Sequence, residues 1–132
     1  MMHLLAIIAD LYTPLLIFIW LFYLYQEGAT RGAEIKVLLL SLLLVYTVMF
    51  LDNYFNIWAT WELDYSTHSG LALIFVVNLT WRNKILRLFA PLSLLVYCCL
   101  MLKLNYHSFA DILTTLLVLL PALLYWQKGL KN

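Results

Sequence analysis

Apolar residues run along this chain in long blocks rather than in alternation. Five blocks stand out, at 4–25, 36–58, 67–81, 85–104 and 107–126, each of about 15 to 23 residues and so near the ~20 that cross a hydrocarbon core as a helix. The interruptions are short: residues 26–35 carry Gly28 and Gly32, residues 59–66 are acidic, residues 82–84 are basic, and residues 103–106 part the last two blocks. None of them could hold a soluble domain. The pattern predicts an all-α polytopic integral membrane protein, a single transmembrane domain over residues 1–132 with about five helices in an antiparallel bundle. Any chemistry must sit among the helices or at their mouths. The first block lacks the positive leader and small-residue cleavage site of a signal peptide, so it is expected to be a true span.

Composition sharpens this picture. The 132 residues are 65% hydrophobic and 11% charged, against the roughly 25% charged typical of soluble domains. A water-soluble enzyme and a disordered chain are both excluded. A net charge of +1 leaves no basic face for a nucleic acid. Cys98 and Cys99 are adjacent in an apolar run, where a bridge would be strained, and read as small hydrophobes.

Lys and Arg resist translocation, so their distribution orients the spans. Arg31, Lys36, Arg82, Lys84, Arg87, Lys128 and Lys131 fall on one side and Lys103 on the other. The N-terminus is therefore expected outside and the C-terminus in the cytoplasm, in a plasma or bacterial inner membrane. Trp20, Trp81 and Trp126 then mark the inner interface, and Trp58 and Trp61 the outer one. In this frame the polar residues collect outside: Asp10, Asp52, Asn53, Asn56, Glu62, Asp64, His68, Asn105, His107 and Asp111. The inner half reads as nearly pure Leu, Val, Ile and Phe. Ionisable groups in a membrane usually face a bundle interior or a water-filled cavity, so the asymmetry predicts a cavity open to the outside. Snorkelling groups or interhelical hydrogen bonds are the plainer alternative.

Two short motifs carry the candidate chemistry. Asp64-Tyr65-Ser66-Thr67-His68-Ser69-Gly70 leads into the third block, with Ser66 or Thr67 as a natural N-cap and His68 in the first helical turn. Asn105-Tyr106-His107-Ser108-Phe109-Ala110-Asp111 opens the fifth. A spacing of four puts His107 and Asp111 on one helical face, where the carboxylate would hold the imidazole in one tautomer, as a nucleophilic or general-base His requires. The chain between the motifs crosses and returns, so both histidines are expected at the same surface.

These motifs resemble the type 2 phosphatidic acid phosphatase superfamily, in particular its sphingomyelin synthase-like branch. That superfamily's second motif reads P-S-G-H or S-G-H-T, to which Ser66-Thr67-His68-Ser69 is similar. Its third ends H-x-x-x-D, matched by His107 and Asp111. Asp64-Tyr65 ahead of His68 is similar to the D-Y-x-x-S-G-H of the synthase branch. The first motif, K-x6-R-P, is missing, and Leu100 and Met101 stand where the phosphatases carry Ser-Arg. The likeness covers residues 64–113. It implies a lipid phosphatase or phosphotransferase acting on a membrane lipid at the extracytoplasmic face, with no metal or other cofactor. His107 would attack phosphorus and become phosphohistidine, Asp111 would orient it, and His68 would protonate the leaving oxygen. Lys103 and two helix N-termini would meet the phosphate charge. Asp64, Ser66 and Tyr65 would line the substrate site, with Trp61 and Asp52 at its mouth. The acidic and aromatic mouth, which also holds Glu62, Tyr54 and Trp58, suits an ammonium headgroup through ion pairing and cation–π contact, or else forms an aromatic interface belt.

Two other readings of the residues stay open. His68, His107 and Asp111 could ligate zinc or iron in a membrane metallohydrolase. A small non-enzymatic membrane subunit or immunity-like protein needs no reactive residue. Asn78-Leu79-Thr80 matches a glycosylation pattern but falls within the third block.

Overall fold

A computed structural model describes residues 2–131, with side chains described for residues 2–129. In chain order the elements are α1 (Met2–Gln26), a 3₁₀ turn (Gly28–Thr30), α2 (Arg31–Phe55), the short α3 (Ile57–Thr60), α4 (Thr67–Thr80), α5 (Lys84–Lys103) and α6 (Phe109–Lys131). Among the described residues α1, α2, α5 and α6 are long and apolar enough to cross a membrane, and α4 is a shorter apolar helix. The protein is an all-α polytopic membrane bundle.

The axis of the bundle is α4, which packs against α1, α2, α5 and α6. From Ser69 to Leu79 every residue but Leu71 is buried, as a helix apolar on all sides demands. Its 14 residues rise about 21 Å, less than the ~30 Å hydrocarbon core. Enclosed by longer helices, it need not match the bilayer. Lipid tails are as apolar as Leu, so such helices associate through close packing and interhelical hydrogen bonds rather than through the hydrophobic effect. Gly70 shows the closeness: a Cβ there would lie 2.9 Å from Leu119 Cδ1 and 3.2 Å from Val45 Cγ1. A Cβ where α2, α4 and α6 meet would force the Leu119 side chain to shift.

Several boundaries differ from the apolar blocks. The second block was expected at 36–58, yet α2 begins at Arg31 and stops at Asn56, which takes a left-handed conformation with φ 54°. Asn tolerates this region better than other residues with a Cβ. The Asp52 carboxylate then accepts the Trp58 N–H at 2.7 Å and starts α3. At the end of α1, Arg31 donates to the carbonyls of Leu24 (3.3 Å) and Tyr25 (2.8 Å), satisfying groups left open by the end of the helix. The fifth block was expected from 107, but Asn105 is also left-handed (φ 60°) and α6 starts at Phe109.

The largest departure is at the end of the bundle where α1 finishes and α2 starts. That half was expected to be nearly pure hydrocarbon, and it holds the most enclosed charge network described. The Arg82 side chain is 2% exposed, with Nη2 3.0 Å from Glu34 and Nη1 3.3 Å from Glu27. It also donates twice to Asn78 Oδ1, at 2.8 and 3.1 Å, and lies over the Tyr23 ring. Asn78 Nδ2 donates to Glu34 and to Gln127, each at 2.9 Å. The network joins α2, α4 and α6 to the turn after α1. Each single polar residue is costly in hydrocarbon, and each is satisfied by another.

Removing Arg82 would strand Glu34 in the interior. Arg82→Leu is expected to cost about 3–5 kcal/mol, and Gly70→Val about 1–3 kcal/mol through overpacking. Leu39→Ala, on the exposed face of α2, should stay within about 0.5 kcal/mol of wild type. Unfolding in mixed micelles measures all three, and equal stability of Arg82→Leu and wild type would contradict the role given to the network.

Candidate functional site

At the opposite end, the loop before α4 and the loop before α6 are stitched together by one carboxylate. Ser108 caps α6: its Oγ accepts the Asp111 N–H at 3.1 Å, and Asp111 Oδ2 accepts the Ser108 N–H at 2.9 Å. This is the reciprocal capping box that Ser-x-x-Asp favours. The other oxygen, Oδ1, accepts the Asp64 N–H at 2.9 Å. A carboxylate at the first turn of a helix is also stabilised by the dipole.

His107 lies just outside this cap rather than on the helical face expected from the spacing of four. Its Nδ1 is 3.5 Å from Asp111 Oδ2 and 3.6 Å from Asp64 Oδ2. That nitrogen is buried and has no hydrogen-bond partner. Between two carboxylates it is the natural place for the ring proton, which leaves the lone pair on Nε2. The positioning carboxylate expected from sequence is therefore present, reached by a cap instead of a helical turn, and joined by Asp64.

His68 is reached from the other loop. Ser66 is the N-cap of α4: its Oγ accepts the Ser69 N–H at 3.3 Å and donates to Ser69 Oγ at 2.7 Å, while Ser66 N–H donates to Thr115 Oγ1 at 3.0 Å. His68 follows in the first turn and is exposed. A cavity of about 510 Å³ is lined by His68, His107, Asp64 and Tyr106 together with Asp10, Thr13, Pro14 and Tyr97. Two histidines 39 positions apart in sequence thus share one chamber. On α1 that chamber lies about 12 Å along the helix from Met2. Pro14 has no N–H to offer the Asp10 carbonyl one turn before it, so α1 carries an open backbone acceptor in the same stretch.

The remaining residues singled out from sequence are placed differently. Asp52 caps α3. Tyr65 is buried, packs at a tilt against Trp58 with ring centroids 4.9 Å apart and donates to the Val45 carbonyl at 2.9 Å; burial pushes its phenol above the ordinary range, so it stays neutral. Trp58 donates from Nε1 to Thr114 at 2.9 Å. Trp61 is 76% exposed and lines a separate groove with Ile57, Leu63 and Val118. Asp52, Trp58, Tyr65 and Ser66 hold the loop between α3 and α4 in shape, and neither they nor Trp61 line the chamber. Tethering of the loop also explains why Glu62 is held at φ 59°, a conformation that costs roughly 1–2 kcal/mol for a residue with a Cβ. Lys103 is exposed at the end of α5 and does not line the chamber. Asp10, Tyr97 and Tyr106 do line it. Asp10 had a visible signal, as a lone carboxylate inside an apolar block, whereas nothing in the pattern distinguished the two tyrosines.

Among the described residues no three His, Cys, Asp or Glu side chains converge in a metal-holding arrangement. No family model matches the chain, and neither curated proteins nor solved structures yield a match.

Because Asp111 serves both loops, its loss should be felt in structure as well as chemistry. Asp111→Ala is expected to lower stability by about 2–4 kcal/mol, since it strands two backbone N–H groups. His107→Ala should stay within about 1 kcal/mol of wild type. Thermal unfolding of the two variants side by side checks this, and an Asp111→Ala protein as stable as His107→Ala would contradict the stitching role.

Proposed function

We propose that the protein is a membrane lipid phosphatase or phosphotransferase that acts on a lipid phosphoester through a histidine nucleophile, with the chamber at the extracytoplasmic face. The observation that carries the reading is the meeting of His68 and His107 in one cavity with a carboxylate beside His107 Nδ1. In the proposed reaction Nε2 of His107 attacks phosphorus, the P–O bond to the leaving group breaks, and His68 gives its proton to the departing oxygen. A water, deprotonated by the now neutral His68, then attacks the phosphorus on His107 and frees the histidine, releasing a phosphomonoester when the substrate is a diester and phosphate when it is a monoester. A lipid alcohol in place of water completes a transfer. Asp111 and Asp64 keep the proton on Nδ1 throughout.

The chamber wall offers two imidazoles and the carboxylates of Asp10 and Asp64, but neither Lys nor Arg. Phosphoryl sites ordinarily balance the charge with cations. Protonated His68 and the N-terminus of α4 supply part of that balance, and a headgroup carrying its own ammonium would supply the rest. A zwitterionic phosphodiester therefore fits this wall better than an anionic monoester. The orientation rests on the one-sided distribution of Lys and Arg.

Purified protein in detergent is expected to turn over zwitterionic phospholipids faster than phosphatidate. His107→Ala should lower the rate at least about a hundredfold, and His68→Ala by about 10²–10⁴. Undiminished turnover by His107→Ala would overturn the assignment of the nucleophile. Equal turnover of anionic and zwitterionic lipids would remove the headgroup preference alone.

A further inference from the structure

A second hollow adjoins the chamber. It is a groove of about 800 Å³ between α1 and α5. Its α1 wall is Ile8, Leu11, Tyr12, Pro14 and Leu15 and its α5 wall is Ser93, Val96, Tyr97 and Leu100. Apart from Pro14, both sets follow the i, i+3, i+4, i+7 spacing of a single helical face. We propose that this groove holds one hydrocarbon chain of the lipid whose phosphoester occupies the chamber. The proposal rests on the lipid phosphoester reading above and adds where the chain of that substrate lies.

Three observations carry it. First, Pro14 and Tyr97 line both hollows, so the two abut, and an amphiphile with its polar part beside His68 and His107 has its tail next to the groove. The groove beside Trp61 shares no lining residue with the chamber and offers no such path. Second, the hydroxyls of Tyr12 and Ser93 in the groove are already hydrogen-bonded within the protein. Ser93 Oγ donates to the Ala90 carbonyl at 2.7 Å, and Tyr12 O–H lies 2.7 Å from Ser93 Oγ, to which it donates. The surface left over is hydrocarbon, which needs no water and accepts none. Third, the junction is built from packed rings: Tyr12 and Tyr97 stack at 4.5 Å, 27° from parallel, and Tyr97 is buried. A tail in the bilayer is already in an apolar medium, so the groove gives it no hydrophobic gain. Its effect is registration, which fixes the phosphorus in reach of His107 and is worth rate rather than affinity.

The test uses wild type, Val96→Trp, which fills the groove, and Leu95→Trp, which adds the same ring on the neighbouring exposed surface of α5. Each is reconstituted in phosphatidylcholine vesicles doped with a phosphatidylcholine bearing a photoactivatable diazirine midway along one acyl chain. In wild type and Leu95→Trp the label should concentrate on the peptides holding Leu11 and Leu15 and on those holding Val96 and Leu100. In Val96→Trp that enrichment should be lost. Label spread evenly over exposed positions such as Leu39 and Leu43 of α2, or unchanged in Val96→Trp, overturns the groove. In parallel, Val96→Trp should lower turnover of long-chain substrate by about tenfold while sparing a short-chain analogue; an equal loss on both also counts against the groove. Enriched labelling with no turnover of any phosphoester would instead overturn the phosphoryl reading and leave the groove as a lipid site. His107-dependent turnover with even labelling would do the reverse.

Discussion

One carboxylate holds the candidate site together. Asp111 accepts the N–H of Ser108 through one oxygen and that of Asp64 through the other, and so joins the entrance of α6 to the loop that delivers α4. Each loop alone would have many conformations. Joined, they set His107 against the capping carboxylate and His68 into the same chamber. The bond to the Asp64 N–H also brings a second carboxylate to His107 Nδ1. Interactions between an ionised acceptor and backbone N–H groups are among the stronger hydrogen bonds available to a protein, and in a membrane interior they face less competition from water.

The two ends of the bundle answer the same physical problem in opposite ways. Around Arg82, every charge is met by an opposite charge or an amide, from helices far apart in the chain. Nothing there is left over to act on a ligand, and the network works as a clamp. Around His107, a buried ring nitrogen has no hydrogen-bond partner, and the hollow it lines also exposes the Asp10 carboxylate of α1. Polar groups left unpaired in a setting that penalises them are retained for binding or chemistry more readily than for stability. The clamp at one end lets the other stay incomplete without loosening the bundle.

The helices were legible in the sequence because apolar length is a direct readout of the bilayer, whereas the central place of α4 emerges only from its packing. Their ends were less legible. Asn56 and Asn105 stop helices by turning left-handed while the apolar pattern runs on past them, and that conformation leaves no periodic trace. His68, His107 and Asp111 could be found because the order and sidedness of the motifs constrain where they emerge. The way His107 meets Asp111 could not, since a capping box and a helical face use the same spacing. The clamp was missed for a different reason. Glu34, the Asn78 and Arg82 pair, and Gln127 come from three regions tens of positions apart, and Arg82 reads as a loop cation when counted only for orientation. Glu34 and Arg82 both fall in the interruptions between apolar blocks, so neither stood out as a buried group in need of a partner. The acidic and aromatic mouth misled because Asp52, Trp58 and Tyr65 are recruited to fold the loop between α3 and α4, a use that composition does not distinguish from ligand binding.

The central claim is that His107 carries phosphorus covalently. It is tested most directly by mixing the protein with a phosphorus-labelled phospholipid, quenching within one turnover, and mapping the label. An acid-labile, base-stable label is expected on the peptide holding His107. Turnover that proceeds with no such adduct, or with the label on another residue, would contradict it.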